Sequence, residues 1–138
     1  MQPASKIGGF KAKIAFWAAS RDDIAAVALV GSYARGTASV DSDIDLVILT
    51  AHPEGYIQDT TWVGLFGEVA RQQVEDWGKV TSLRVWYADG REVEFGITTP
   101  DWIAEPLDEG TAQAIAGGIK LLFERDGMLS SHNALRMA

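Results

Sequence analysis

Apolar positions recur along this chain with two periods. Phe10, Ile14 and Trp17 share one helical face ahead of the polar run Ser20-Arg21-Asp22-Asp23. The unbroken apolar segment from Ile24 to Val30 reads as a buried strand ending in a tight turn into a short helix. A second apolar strand, Ser42 to Leu49, opens with acids on alternate positions. Trp62, Leu65, Phe66, Val69, Val74 and Trp77 line a further helix that ends at Gly78. Val80 to Tyr87 and Arg91 to Ile97 both alternate and flank Ala88-Asp89-Gly90, which predicts a hairpin. After Pro100-Asp101-Trp102 a helix is expected from about Thr111 to Ala116. Leu121-Leu122-Phe123 then leads to an Asp126-Gly127 turn and a short C-terminal helix.

The hairpin register decides which residues meet. A two-residue Asp89-Gly90 loop would place Glu94 opposite Val85 and mix polar with apolar residues on both faces. A three-residue loop with Gly90 left-handed instead pairs Leu83 with Phe95, Val85 with Val93, Arg84 with Glu94 and Trp86 with Glu92. The second register separates a core face from a polar face and is the one expected. Glu92 then reads as half of a solvated cross-strand pair. Trp86 falls on the acidic face, where packing is the simpler expectation and stacking on a ligand ring the alternative.

The candidate chemistry lies in Gly31-Ser32-Tyr33-Ala34-Arg35-Gly36 and in Asp43-Ile44-Asp45. Ser32 is expected to cap the short helix. Glycine at 31 would let a phosphate approach the backbone, and Arg35, one turn on, could add a positive charge. Gly-Ser-x-x-x-Gly alone is more often plain strand-to-helix punctuation, and the segment has neither a P-loop nor a dinucleotide fingerprint. The acidic strand changes the balance. Residues i and i+2 of a strand share a face with Cα atoms roughly 6–7 Å apart, so Asp43 and Asp45 can ligate one cation or a bridged pair. Oxygen-only ligands beside phosphate favour Mg²⁺ or Mn²⁺ over zinc. An EF-hand starting at Asp41 fails, with Leu46 where glycine is needed and His52 where glutamate is needed.

Glu94 on the hairpin is the candidate third carboxylate, with Arg84 its neighbour. Two like charges about 5 Å apart repel by roughly 3 kcal/mol at an effective dielectric of 20, so three mutual pairs approach roughly 10 kcal/mol. Without a cation, at least one of Asp43, Asp45 and Glu94 should therefore have a raised pKa.

Taken together, Gly31-Ser32-x-Ala34-Arg35-Gly36-x-Ala38, Ser42-Asp43-Ile44-Asp45-Leu46 and Glu94 between apolar neighbours resemble the DNA polymerase β-like nucleotidyltransferase superfamily. Within it, the chain is similar to small bacterial proteins related to aminoglycoside and lincosamide nucleotidyltransferases and to minimal nucleotidyltransferase antitoxins. The resemblance covers roughly residues 24–98. It implies an α/β (α+β) fold with a mixed sheet of about four to five strands and helices packed on one side. It also implies that Gly31 and Ser32 bind the triphosphate, with Arg35 near the phosphates, and that Asp43, Asp45 and Glu94 hold two Mg²⁺ ions. The expected reaction moves AMP from ATP to a hydroxyl of a small acceptor and releases pyrophosphate. An antitoxin that modifies or caps a partner toxin, and a catalytically idle nucleotide-binding module, are the alternatives.

Composition bounds these readings. At 138 residues and 47% hydrophobic, one domain is expected, with a core over about 24–98 and an extension over about 99–138. The absence of cysteine excludes disulfides and Cys-ligated zinc. No stretch is apolar enough to span a bilayer and no secretory pattern opens the chain, so the expected address is cytoplasmic. A net charge of −7 without a basic cluster argues against long nucleic acid as a partner and suits a small or cationic acceptor. His52 and His132 are isolated and make a poor metal site. The antibiotic-modifying relatives add a helical region that helps to bind the acceptor; no such region is legible here, which leaves the acceptor open.

Overall fold

The computed structural model describes residues 3–38, 42–76, 80–103 and 118–125, and for 3–7, Arg35 and Ile103 the backbone alone. The described residues hold three helices: α1 (Pro3–Ala19), α2 (Gly31–Arg35) and α3 (Pro53–Gln58). Six strands accompany them: β1 (Ile24–Val30), β2 (Ile44–Thr50), β3 (Val69–Asp76), β4 (Thr81–Tyr87), β5 (Glu92–Thr98) and β6 (Lys120–Glu124). Two 3-10 turns cover Thr61–Phe66 and Pro100–Ile103.

The strands form one mixed sheet in the order β3-β4-β5-β2-β1-β6, parallel between β2 and β5 and antiparallel elsewhere. The count exceeds the four to five strands expected because β3 and β6 join the edges. One face carries Leu29, Leu46, Ile48, Leu83, Val85 and Phe95, buried under Phe10, Ile14 and Trp17 of α1 and under Tyr56, Trp62 and Phe66. Trp62 stacks on Trp17 with ring centroids 5.0 Å apart and meets Phe95 edge-on at 4.9 Å. The opposite face has a smaller apolar cluster, in which Trp102 covers Ala26, Ala28, Val47 and Leu49. Side chains alternate across a strand, so this second face is also the one to which Asp45 and Glu94 belong.

The hairpin has the expected register: Leu83 faces Phe95, Arg84 faces Glu94, Val85 faces Val93 and Trp86 faces Glu92. Gly90, at φ 94°, closes the loop by donating its N–H to the Tyr87 carbonyl at 3.0 Å.

The helix expected through Trp62 to Gly78 does not form. Trp62, Val63 and Phe66 are buried on a 3-10 turn that stops at Gly67, whose φ of 154° excludes helix continuation. A Cβ on Gly67 would stand 2.5 Å from Arg91 Nη2 and 3.0 Å from Tyr87 Cδ1. The Tyr87 hydroxyl donates to the Val63 carbonyl at 2.8 Å, and Arg91 Nη2 donates to the Phe66 carbonyl at 2.7 Å, so the hairpin fixes the end of this turn. Residues Val69 to Asp76 then pair with β4, and cross-strand bonding overrides the apparent helical period. Leu65 and Val74 are consequently 59% and 52% exposed, not core. Trp77, Gly78, the segment 111–116, the Asp126-Gly127 turn, the C-terminal helix and His132 lie outside the described residues.

Candidate active site

The site begins where β1 ends. Gly31, at φ 75°, turns the chain directly into α2, and this conformation costs other residues about 1–2 kcal/mol. The turn is early enough that Val30 occupies the N-cap with extended backbone, so Ser32 lies inside the helix and is not its N-cap. Gly36, left-handed at φ 77°, closes α2 by donating its N–H to the Ser32 carbonyl. Arg35 is described by its backbone alone, so the expected placement of its guanidinium near a phosphate lies outside the described atoms.

Two pairings bring the acids together. Val30 faces Asp45 across the antiparallel β1–β2 pair, and Asp45 faces Glu94 across the parallel β2–β5 pair. Asp43 precedes β2 by one residue and shares the face of Asp45. One carboxylate oxygen from each of Asp43, Asp45 and Glu94 lies within 4.8 Å of the others. Gly31 makes this convergence sterically feasible, since a Cβ there would stand 2.5 Å from Asp45 Oδ2. Its missing side chain makes room for a carboxylate, a role that the sequence pattern does not disclose.

Electrostatics marks Asp45 as the group under most pressure. Burial, then the carboxylates of Asp43 and Glu94, push its pKa up to about 7, against the opposing charge of Arg84. This is the raised acid expected of three clustered carboxylates. Hard oxygen donors at this spacing, one of them made reluctant to ionise by burial and by its neighbours, fit a divalent cation that would offset their charge.

Arg84 borders the cluster and touches four carboxylates. It meets Glu94 at 2.9 Å, Glu75 at 3.3 Å, Asp43 at 3.5 Å and Glu92 at 2.5 Å. Glu75 is hidden in the sequence because its segment shows a helical period; only its place on β3, next to Arg84's strand, reveals it. The Arg71 guanidinium lies 4.0 Å above the Trp86 ring, so packing occupies that face of the indole. A cleft of about 290 Å³ adjoins the acids, floored by Val47, Ser82 and Gly96.

A larger cleft, about 410 Å³, lies at the far ends of β1 and β2, around Arg21, Asp23, His52 and Tyr56. It lacks a comparable donor set: Asp23 accepts hydrogen bonds from Thr50 and Tyr56, and the exposed His52 lies 3.9 Å from Glu54. No helix among the described residues is long and apolar enough to cross a membrane.

Comparison with known proteins bears on this arrangement. A solved aminoglycoside 6-adenyltransferase from Bacillus subtilis superposes with a TM-score of 0.55 at 14% identity, a likeness of fold alone. The alignment covers 78% of this chain but only 37% of the adenyltransferase. The Cid1 poly(U) polymerase aligns over 66% of this chain and 26% of its own, at 13% identity and a TM-score of 0.40. No curated protein matches the chain by sequence. A family described as nucleotidyltransferase domain matches residues 14–97, more than half of the chain, and that span holds Gly31, Asp43, Asp45 and Glu94 with the strands that position them; the chain belongs to this nucleotidyltransferase domain family.

Proposed function

We propose that this chain is a metal-dependent nucleotidyltransferase that transfers AMP from ATP to a hydroxyl of a small acceptor. The observation that carries the reading is the convergence of Asp43, Asp45 and Glu94 within 4.8 Å beside a strand-to-helix turn at Gly31. These three carboxylates would hold the Mg²⁺ or Mn²⁺. A bound cation would offset the negative charge of the triphosphate and make the acceptor hydroxyl more acidic. Gly31 and Ser32 would receive the triphosphate at the start of α2, with Arg35 on the following turn. The acceptor oxygen would release its proton to solvent and bond to the α-phosphorus as the bond to the bridging oxygen breaks and pyrophosphate leaves.

Pairing geometry gives the acids a fixed floor. Asp45 and Glu94 are held by adjacent parallel strands over a packed core, so their separation is set by backbone register more than by side-chain freedom. The excess of carboxylates on this face, with Arg84 beside them, suits a neutral or cationic acceptor better than an anionic one.

Labelled ATP, Mg²⁺ and a panel of hydroxyl acceptors test the proposal. Acceptor-dependent release of pyrophosphate with transfer of labelled AMP is expected, and Asp45→Asn should abolish both. Pyrophosphate release that is unchanged in Asp45→Asn would refute the assignment.

A further inference from the structure

We infer that Arg84 is a positioning residue that fixes Asp43 and Glu94 for cation binding, with Glu75 and Glu92 as its anchors. The inference rests on the proposed reading of Asp43, Asp45 and Glu94 as metal ligands.

Four strands contribute to the arrangement in spatial order. Arg84 on β4, Glu94 on β5 and Asp45 on β2 form a row across the sheet, with Arg84 directly opposite Glu94 and Glu94 directly opposite Asp45, while Glu75 on β3 reaches Arg84 diagonally from its place opposite Ser82. Arg84 Nε and Nη2 point to Glu75 at 3.3 Å, while Nη1 meets Glu92. Those contacts anchor the guanidinium to acids of β3 and β5. From that position it donates to Glu94 Oε2 at 2.9 Å and approaches Asp43 Oδ2 at 3.5 Å. The side chains of Arg84, Glu75 and Glu94 are each about four-fifths covered, so this network is only partly screened by water.

A planar fork with five donors can span four carboxylates in this way, and an ammonium group cannot. The positive charge of Arg84 by itself disfavours a nearby cation. Its benefit to the site therefore lies in orientation, and the two contributions separate in Arg84→Lys, which keeps the charge and loses the fork.

The test is calorimetric titration of the metal-free full chain with Mn²⁺, alongside thermal melts without metal. Arg84→Lys should weaken Mn²⁺ binding by about tenfold or more. Its metal-free melting temperature should move by less than about 3 °C, since the charge remains. Binding as tight as wild type, or tighter, overturns the inference and leaves the metal reading intact. Absence of Mn²⁺ binding by wild type overturns both. Should Arg84→Lys melt without a cooperative transition, Glu92→Gln is titrated in its place at about 0.3 M salt, where long-range charge effects are screened. A loss of about threefold or more supports the inference, and an unchanged affinity overturns it.

Discussion

Gly31 and Asp45 face each other so closely that any side chain at 31 would enter the carboxylate: a Cβ would lie 2.5 Å from Oδ2 and 3.3 Å from Cγ. Gly36 shares the left-handed conformation, at φ 77°, but a Cβ there would meet no described atom within 4 Å. The two glycines therefore separate backbone strain from crowding of the site. Gly36→Ala should lose about 1–2 kcal/mol of stability through strain alone. Gly31→Ala should lose at least as much and should also weaken Mn²⁺ binding by about tenfold, because Asp45 must move. Thermal melts and Mn²⁺ titrations of both variants check this; equal losses of Mn²⁺ affinity would contradict the role given to Gly31.

The raised pKa of Asp45 has a definite sign. Burial and the charges of Asp43 and Glu94 carry it from 3.8 to about 7, so between those pH values the folded state binds more protons than the unfolded chain. Stability contributed by the protonated carboxyl is fully present below about pH 4 and is lost as pH rises through about 7. With a chelator present, Asp45→Asn should match wild type near pH 4. By pH 8 it should exceed wild type by on the order of 2 kcal/mol, a figure reduced for partial exposure and for coupling to Asp43. Urea midpoints at the two pH values measure it. A wild-type-to-variant difference that is constant across pH would show that Asp45 titrates normally.

Asp43→Asn should change metal-bound stability far more than metal-free stability. Without a cation it removes both a charge that repels Asp45 and Glu94 and the ion pair with Arg84 at 3.5 Å, so the melting temperature should move by no more than a few degrees. With saturating Mn²⁺ it has lost a ligand, and the metal-induced rise in melting temperature should shrink in proportion to the logarithm of the weakened affinity. Glu94→Gln should also bind Mn²⁺ at least about tenfold more weakly. A rise in melting temperature on Mn²⁺ addition that is the same in wild type and Asp43→Asn would remove Asp43 from the ligand set.

Local patterns in the sequence are enough to place β1, β2, α1 and the β4–β5 hairpin, and turn chemistry at Gly90 with alternation on both sides settles the Arg84–Glu94 pairing. What brings Glu94 beside Asp45 is less local. It depends on a parallel pairing of β2 with β5, two strands separated along the chain by α3, β3 and β4, and no short-range signal encodes that neighbour. The β3 segment shows why periodicity can mislead. Trp62, Phe66 and Val69 keep a helical spacing across Gly67, yet the chain turns there and the next eight residues bond to β4. With that misreading, Glu75 is lost as a partner of Arg84. Ser32 is a similar case on a smaller scale: it is a good capping residue, but the sharp turn at Gly31 starts the helix before it.

Asp23 provides a stability test that should leave the site untouched. Its carboxylate accepts hydrogen bonds from the Thr50 hydroxyl at 2.8 Å and the Tyr56 hydroxyl at 2.9 Å, tying α3 to the edge where β1 begins and β2 ends. The acids occupy the opposite ends of these strands, since Ile24 pairs with Thr50 and Val30 with Asp45. Asp23→Ala leaves the fully buried Thr50 hydroxyl and the Tyr56 hydroxyl without that acceptor, at a cost of about 1–3 kcal/mol. Burial opposes the charged form of Asp23, but the bonds from Thr50 and Tyr56 outweigh it and hold the carboxyl below its ordinary value. The stabilisation is therefore present above about pH 4 and is lost as pH falls through the depressed folded pKa. Urea unfolding at pH 7 and pH 3 should show Asp23→Ala further below wild type at the higher pH, while Mn²⁺ affinity at pH 7 stays within about twofold of wild type. A large loss of Mn²⁺ affinity in this variant would show that the two ends of β1 and β2 are coupled, contrary to the rigid sheet on which the assignment of the acids depends.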